Sequence, residues 1–463
     1  MPGRPLRRRA RAIALCAAVA LVGVACIGSH DNGGSAQPSP LAINWAGPRV
    51  TAPLPAAVNA DAYTTRWPIK HVIFIIKENR SFDQLFGRFP GANGARFGYE
   101  NGTRVRLKPA SDQRGYDVPH CRACAISAIN NENMDGFGIQ NHGAYAYTQM
   151  RPSGEPNYWE WAKRYVLADN FFASALGPSF PNHLYTIAAQ SGGAFNNPRQ
   201  DFNAMLTAAQ NGTVKSWGCD ISQPAYVQAF DTEGDETQIQ PCFNFETEGD
   251  LLRSAGIPWT YYAAAPNQLG YMWSAYSAIS RYRDNPTMWA RYIRPVDDIV
   301  RDVKRNRLPP VTWITPRFAD SEHPDYNFCY GENWTTSIVD AVMRSPIWKN
   351  TAIFITWDEY GGFYDHVPPQ QLDQLGLGIR VPLLVISPYA NQGQVFHEQS
   401  EFSSVLRFIE DNWGLTQLTQ RDANTTNIAD AFSFSSPPRP PDPLPLRTDC
   451  VGPKWAPADP SRT

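Results

Sequence analysis

Three runs in this chain, HVIFIIK (71–77), TAIFITW (351–357) and VPLLVIS (381–387), are apolar without alternation. Strands read this way when both faces of their sheet are covered. Further apolar runs at 165–172, 257–265 and 309–316 are bounded by turn residues and read as buried strands. Stretches of helical spacing lie between them. VDDIVRDVKRN (296–306) is one. SEFSSVLRFIEDNW (400–413) is another, with Phe402, Val405, Leu406, Ile409 and Trp413 on one face and Ser400 as the expected N-cap. The fold class that follows is α/β, a mainly parallel sheet sandwiched by helices. At 463 residues and 43% hydrophobic composition the chain has ample material for one large core, placed at 66–435. Inserted segments are expected at about 190–255, which is polar and Gly/Asn-rich, and at 266–293, which is dense in Tyr and Trp.

The ends read differently. Arg4, Arg7, Arg8, Arg9 and Arg11 precede a short apolar run, 12–26, that ends in small residues. That pattern is an export signal, with cleavage and secretion, a lipid anchor at Cys26, or an uncleaved anchor as the outcome. Residues 27–65 are a linker, and 436–463 a Pro-rich tail. Removing residues 1–26 takes away five arginines and no acids, so the formal charge moves from −2 to −7. An acidic chain with no basic run is a poor nucleic-acid binder. In an exported chain, Cys121, Cys124, Cys219, Cys242, Cys329 and Cys450 are expected in disulfides, with Cys219 and Cys242 placed to close a local loop.

The chemistry gathers where strands stop. The first run ends in Glu78-Asn79 and the fifth in Asp358-Glu359. Ligands of open α/β sheets bind beyond the carboxyl ends of the strands. If these two strands are neighbours, three carboxylates and an amide oxygen converge. Their repulsion calls for a proton or a cation. An all-oxygen donor set suits one divalent ion such as Mg²⁺, Ca²⁺ or Mn²⁺. A third strand leads into GPSFPNH (177–183), which puts Ser179 at a helix start, where negative charge is favoured. Beside a cation Ser179 is a candidate nucleophile, and helix capping is its other reading. His120, His323 and His366 lie in polar or Pro-bounded loops and are candidates to bind an anion or protonate a leaving group. His183 is read as packing on its helix, and His71 as opening a strand.

The strings HVIFIIKENRSFDQLFG, NMDGFG, DNFFASALGPSFPNHLY, SEHPDYNFCYGENW, TWDEYGGFYDHVPP and RVPLLVISPYA occur in an order that resembles the phosphoesterase family of bacterial phospholipases C and acid phosphatases. The resemblance spans roughly 68–435. It implies an alkaline-phosphatase-like core. It also implies a metal held by Glu78, Asn79, Asp358, Glu359 and Ser179, with Ser179 as nucleophile. Asn182, His120 and His323 match family positions around the substrate phosphate. On the residues themselves, His323 or His120 is read as the catalytic proton donor, Asn182 and His366 as substrate-binding, and His366 with Asp365 as a supporting shell. The expected function is exported, metal-dependent hydrolysis of a phosphate ester or phospholipid headgroup, with contact at a membrane surface. Tyr261, Tyr262, Tyr271, Trp273 and Tyr276 offer a lipid-facing rim or, alternatively, core packing. A catalytically silent surface-binding protein on the same fold is one rival, and sulfate-ester hydrolysis is another. The SFPNH turn carries no arginine of the C/S-x-P-x-R kind that sulfate chemistry uses.

Overall fold

Burial on both faces turns the apolar runs into neighbouring strands of one sheet. In the computed structural model, the described residues are 50–451 apart from 114, 140–141, 200–213 and 223–224. The expected export signal, Cys26 and the last twelve residues of the tail therefore lie outside them. We number the main-sheet strands β1 (His71–Lys77), β2 (Val166–Ala168), β3 (Trp259–Ala263), β4 (Ile293–Pro295), β5 (Val311–Ile314), β6 (Thr351–Trp357), β7 (Leu383–Ile386) and β8 (Gln394–Phe396). Their order across the sheet is β4-β3-β5-β1-β6-β7-β2-β8. Only β7 runs against the rest, pairing antiparallel with β6 and β2. Every residue of β1 and β6 is buried.

The helices used below are α1 (Phe82–Phe86), α2 (Pro156–Arg164), α3 (Ser179–Ala188), α4 (Phe328–Met343) and α5 (Phe402–Trp413). Side-chain alternation places them on two faces. Phe354 of β6 meets Phe408 of α5 at 5.3 Å between ring centroids. Trp357, three residues on and so on the opposite face, meets Tyr158 of α2 at 5.2 Å. Trp313 stands in register with Phe74, and Phe74 with Phe354, so all three share the first face. There the Trp313 indole donates to Thr186 O of α3. Lys77, in register with Trp357, points to the second face and donates to Gly331 O of α4.

One detail differs from the sequence-based expectation. The N-cap of α5 is Glu401, in a capping box with Ser404, one residue beyond Ser400. Of the two readings of the aromatic residues, rim or core packing, the structure shows packing. Tyr261, Tyr262, Tyr271, Trp273 and Tyr276 are all buried, and Tyr276 stacks on Trp259 of β3 at 4.8 Å. Rings this large gain most from full burial, and here the core takes them. Three disulfides form, Cys121–Cys124, Cys219–Cys242 and Cys329–Cys450, and the last pins the tail to α4. Among the described residues no helix is long and apolar enough to cross a membrane.

Candidate active site

β1 and β6 are parallel neighbours, with Lys77 opposite Trp357, so Glu78-Asn79 and Asp358-Glu359 leave the same edge of the sheet side by side. The Asp358 N–H donates to Lys77 O, and the Asn79 N–H donates to Asp358 Oδ1, both at 3.0 Å. Asn79 takes a left-handed backbone, φ 63°, which asparagine tolerates better than most residues. After Glu359 the chain turns back at Gly361, φ 63°. A Cβ there would lie 2.3 Å from Asn79 O, so only glycine fits. The Gly361 N–H fixes Glu359 by donating to Oε2 at 2.8 Å.

The loop after β2 brings α3 to this edge. Ser179 Oγ lies 3.5 Å from Glu78 Oε2. One helical turn on, His183 Nε2 sits 2.9 Å from Glu78 Oε1 and 3.8 Å from Asp358 Oδ2. Glu78, His183 and Asp358 each offer a ligand atom within 4.8 Å of the others. Burial pushes Glu78 up to about 8, and burial together with Glu78 pushes Asp358 up to about 7. Glu359 is driven well above the carboxylate range by burial and by Asp358. Burial lowers His183 to about 4, so its ring is neutral and donates to Glu78. Asn79 Oδ1, Asp358 Oδ2 and Glu359 Oε1 are buried with no hydrogen-bond partner. Buried acceptors are rarely left so, and three at one point fit a hard cation.

The loop after β5 supplies His323. Its Nδ1 lies 2.6 Å from Asp325 and its Nε2 3.9 Å from Asp117. Burial lowers its pKa, but Asp325, Asp117 and Glu78 outweigh that and raise it to about 9. His120 faces the same space, 6.3 Å from His323 between ring centroids. Its Nδ1 bonds Val118 O at 2.7 Å, which leaves Nε2 to accept from Asn79 Nδ2 at 3.1 Å. The His120 ring therefore fixes the Asn79 amide, whose Oδ1 is left buried without a partner.

The structure brings Glu78, Asn79, Ser179, Asp358, Glu359, His120 and His323 together, and separates two residues from the expected roles. Asn182 is fully buried, and its amide is used within its own loop. Oδ1 accepts from Ala175 N, and Nδ2 lies within bonding distance of Ala175 O, Gly177 O and Pro178 O. It holds the turn that presents Ser179. His366 belongs to another cluster, bonding Asp83 Oδ2 at 2.6 Å and Asn93 Oδ1 at 3.1 Å. Asp365 sits there too, held by the fully buried Arg380. Sequence reasoning missed His183, although its four-residue spacing from Ser179 puts both on one helix face. It also missed Glu322, a buried residue at φ 74°. The Glu322 carboxylate meets Lys77 Nζ at 3.1 Å, Trp357 Nε1 at 3.0 Å and Tyr158 OH at 2.5 Å, and Arg80 donates to its carbonyl. It thereby ties the last residues of β1 and β6 to the loop carrying His323.

The fold and site define a class, an α/β protein with an oxygen-rich, carboxylate-lined centre at the carboxyl edge of its sheet. The chain belongs to the Phosphoesterase family, matching it over residues 69–416. It is 27% identical to a hemolytic phospholipase C of Pseudomonas aeruginosa, covering 78% of this chain and 55% of that one. It is 26% identical to phospholipase C B of Mycobacterium tuberculosis H37Rv, covering 80% and 79%. It is 25% identical to non-specific phospholipase C6 of Arabidopsis thaliana, covering 83% and 74%. The chain thus spans about half the length of the Pseudomonas relative. Among solved structures it aligns with murine ectonucleotide pyrophosphatase/phosphodiesterase 5, TM-score 0.40 at 10% identity, over 78% of this chain and 100% of that one. It also aligns with an alkaline phosphatase superfamily protein of Vibrio parahaemolyticus, TM-score 0.35 at 10% identity, over 77% and 68%.

Proposed function

We propose that the chain is an exported, cation-dependent phosphoester hydrolase of the phospholipase C type, working through a serine nucleophile. The observation that carries this reading is Ser179 at the first position of α3, its Oγ 3.5 Å from Glu78, beside carboxylates with orphaned oxygens. Family membership and the names of the relatives support ester hydrolysis at phosphorus. Three disulfides support an oxidising compartment. Glu78, Asn79, Asp358, Glu359 and Ser179 would hold the divalent cation, which when bound supplies charge neutralisation and Lewis acidity toward phosphoryl oxygens.

The chain's own groups do the rest. Ser179 Oγ attacks phosphorus as its proton passes along its contact with Glu78 Oε2 at 3.5 Å, and the helix start favours the negative charge that develops on it. His323, protonated at neutral pH, gives its proton to the departing alcohol oxygen. Water then attacks the phosphoserine and releases the phosphate. Neutral His183 keeps Glu78 in place, His120 keeps Asn79 in place, and Asn182 keeps the serine turn in place.

The test is hydrolysis of p-nitrophenyl phosphorylcholine, phosphatidylcholine micelles and p-nitrophenyl phosphate by purified protein, before and after chelation. We expect the two diesters to be turned over faster than the monoester, and all activity to vanish on chelation and return with a divalent ion. Full activity of metal-free protein, or turnover of the monoester alone, contradicts the reading.

A further inference from the structure

With Tyr261, Tyr262, Tyr271, Trp273 and Tyr276 buried, none of these five rings is open to a lipid surface, but a hairpin elsewhere exposes two. The antiparallel hairpin Phe97–Glu100/Thr103–Arg106 pairs Phe97 with Arg106 and Tyr99 with Arg104. Alternation then puts Phe97, Tyr99, Arg104 and Arg106 on one face and Gly98 and Val105 on the other. The inner face is fixed to the body of the protein. A Cβ on Gly98 would lie 3.0 Å from Tyr147 and Tyr364, and the Tyr147 hydroxyl donates to Tyr99 O at 2.6 Å. Tyr364 closes the loop that begins with Asp358-Glu359, so the hairpin rests on the same loop that carries the site.

The outer face is open. Phe97 is 42% exposed and Tyr99 47%, and the Arg104 guanidinium lies 3.8 Å from the Phe97 ring centre. Arg96, Arg106 and Arg151 crowd Arg88 closely enough that, after burial, their repulsion lowers its pKa. None of Arg88, Arg96, Arg104, Arg106, Lys108 and Arg151 makes an ion pair with a described residue, whereas Arg380, Arg421 and Arg447 each do. Cations without an ion pair among the described residues therefore lie on and beside a hairpin that exposes two rings.

We propose that this face docks the protein on an anionic phospholipid bilayer, with Arg104 and Arg106 on lipid phosphates and Phe97 and Tyr99 at the headgroup–acyl boundary. Both needs of the face are met there, anions for the guanidiniums and an apolar edge for the rings. A nucleic acid running past the hairpin would meet a chain of net negative charge. The proposal goes beyond the catalytic reading and stands or falls separately from it.

The experiment is co-sedimentation of the full chain with phosphatidylcholine vesicles prepared with and without phosphatidylserine. An acyl anchor at Cys26 would bind both vesicle types alike, so only the difference between them is read. We expect binding that requires phosphatidylserine and weakens with salt. One arginine at such a surface changes partition about fivefold, so Arg104→Gln/Arg106→Gln should lose roughly 25-fold. Arg104→Lys/Arg106→Lys should keep most of the binding, and Phe97→Ser/Tyr99→Ser should lose it. All three should hydrolyse a soluble ester as the unaltered chain does if that chain is active, and should melt at the same temperature in any case. Equal partition of the unaltered and Arg→Gln chains overturns the proposal. So does retention on duplex DNA with none on vesicles, or partition indifferent to phosphatidylserine.

Discussion

Binding of the proposed cation should expel protons, and the number follows from the site. Glu78 holds its proton up to about 8 and Asp358 up to about 7, with Glu359 also raised. His183, lowered to about 4, is neutral across the same range and contributes nothing. Near pH 6 a cation therefore displaces about two to three protons, because metal ligation needs the carboxylates ionised. Apparent affinity should fall about 100-fold for each pH unit below 7, and about tenfold per unit between 7 and 8 if Glu359 is left aside. Stability of the cation-free protein has the opposite slope. These carboxyls ionise at lower pH in the unfolded chain, so the folded state binds more protons between the two sets of values. It loses up to about 1.4 kcal/mol per pH unit for each group as pH rises from 5 to 7. Calorimetric titration of Mg²⁺ or Ca²⁺ in two buffers of different ionisation heat gives the proton count directly. Melting temperatures of chelated protein give the second slope. Glu78→Gln should release about one proton fewer. A proton count near zero at pH 6, with affinity flat from 6 to 8, would refute the reasoning.

Three further outcomes are expected. Ser179→Ala should lose about a thousandfold or more in rate, and hydrolysis of a chiral, isotopically labelled ester should retain configuration at phosphorus, since two inversions cancel; a single inversion removes Ser179 from the nucleophile's role. Asp325→Asn takes away a carboxylate that raises His323, so the alkaline limb of the rate profile, set by loss of the acid form, should move to lower pH; an unmoved limb assigns the proton donor elsewhere. Cys450→Ser opens a bridge between residues 121 apart and should cost about 3–5 kcal/mol by denaturant titration, whereas a change under about 1 kcal/mol means the tail contributes little to the fold.

What was legible in the sequence was whatever a single segment announces. β1 and β6 match the apolar runs to the residue, because full burial leaves no polar position to blur their ends. The convergence of Glu78, Asn79, Asp358 and Glu359 was legible because acid and amide at a strand's end have no packing reason to be there. β4 and β8, three residues each, were not read, since such short edge strands hold too few side chains to show a period. The hairpin at 97–106 was missed for another reason. Its outward residues are Phe, Tyr, Arg and Arg, a mixture that neither alternates in hydrophobicity nor forms a run of charge. Its cations come from four separate stretches of chain, so the patch exists only in three dimensions.

Asn182 and His366 show the reverse error, in which a motif is legible and its role is not. Both lie inside strings that resemble the family, so the sequence marks them as important without saying to what. An amide surrounded by three carbonyls four to seven residues back is satisfied before any substrate arrives. A histidine on Asp83 and Asn93 is committed to a network centred on Arg380. Glu322 belongs with them, since nothing in SEHPDY distinguishes it from a surface carboxylate. Only the pairing of β1 with β6 places Lys77 and Trp357 together, and only then does one buried carboxylate, next to His323 in the chain, touch both strand ends. The precision of the site thus rests on a residue whose neighbours are 245 and 35 positions away in the chain, a dependence that no local pattern encodes.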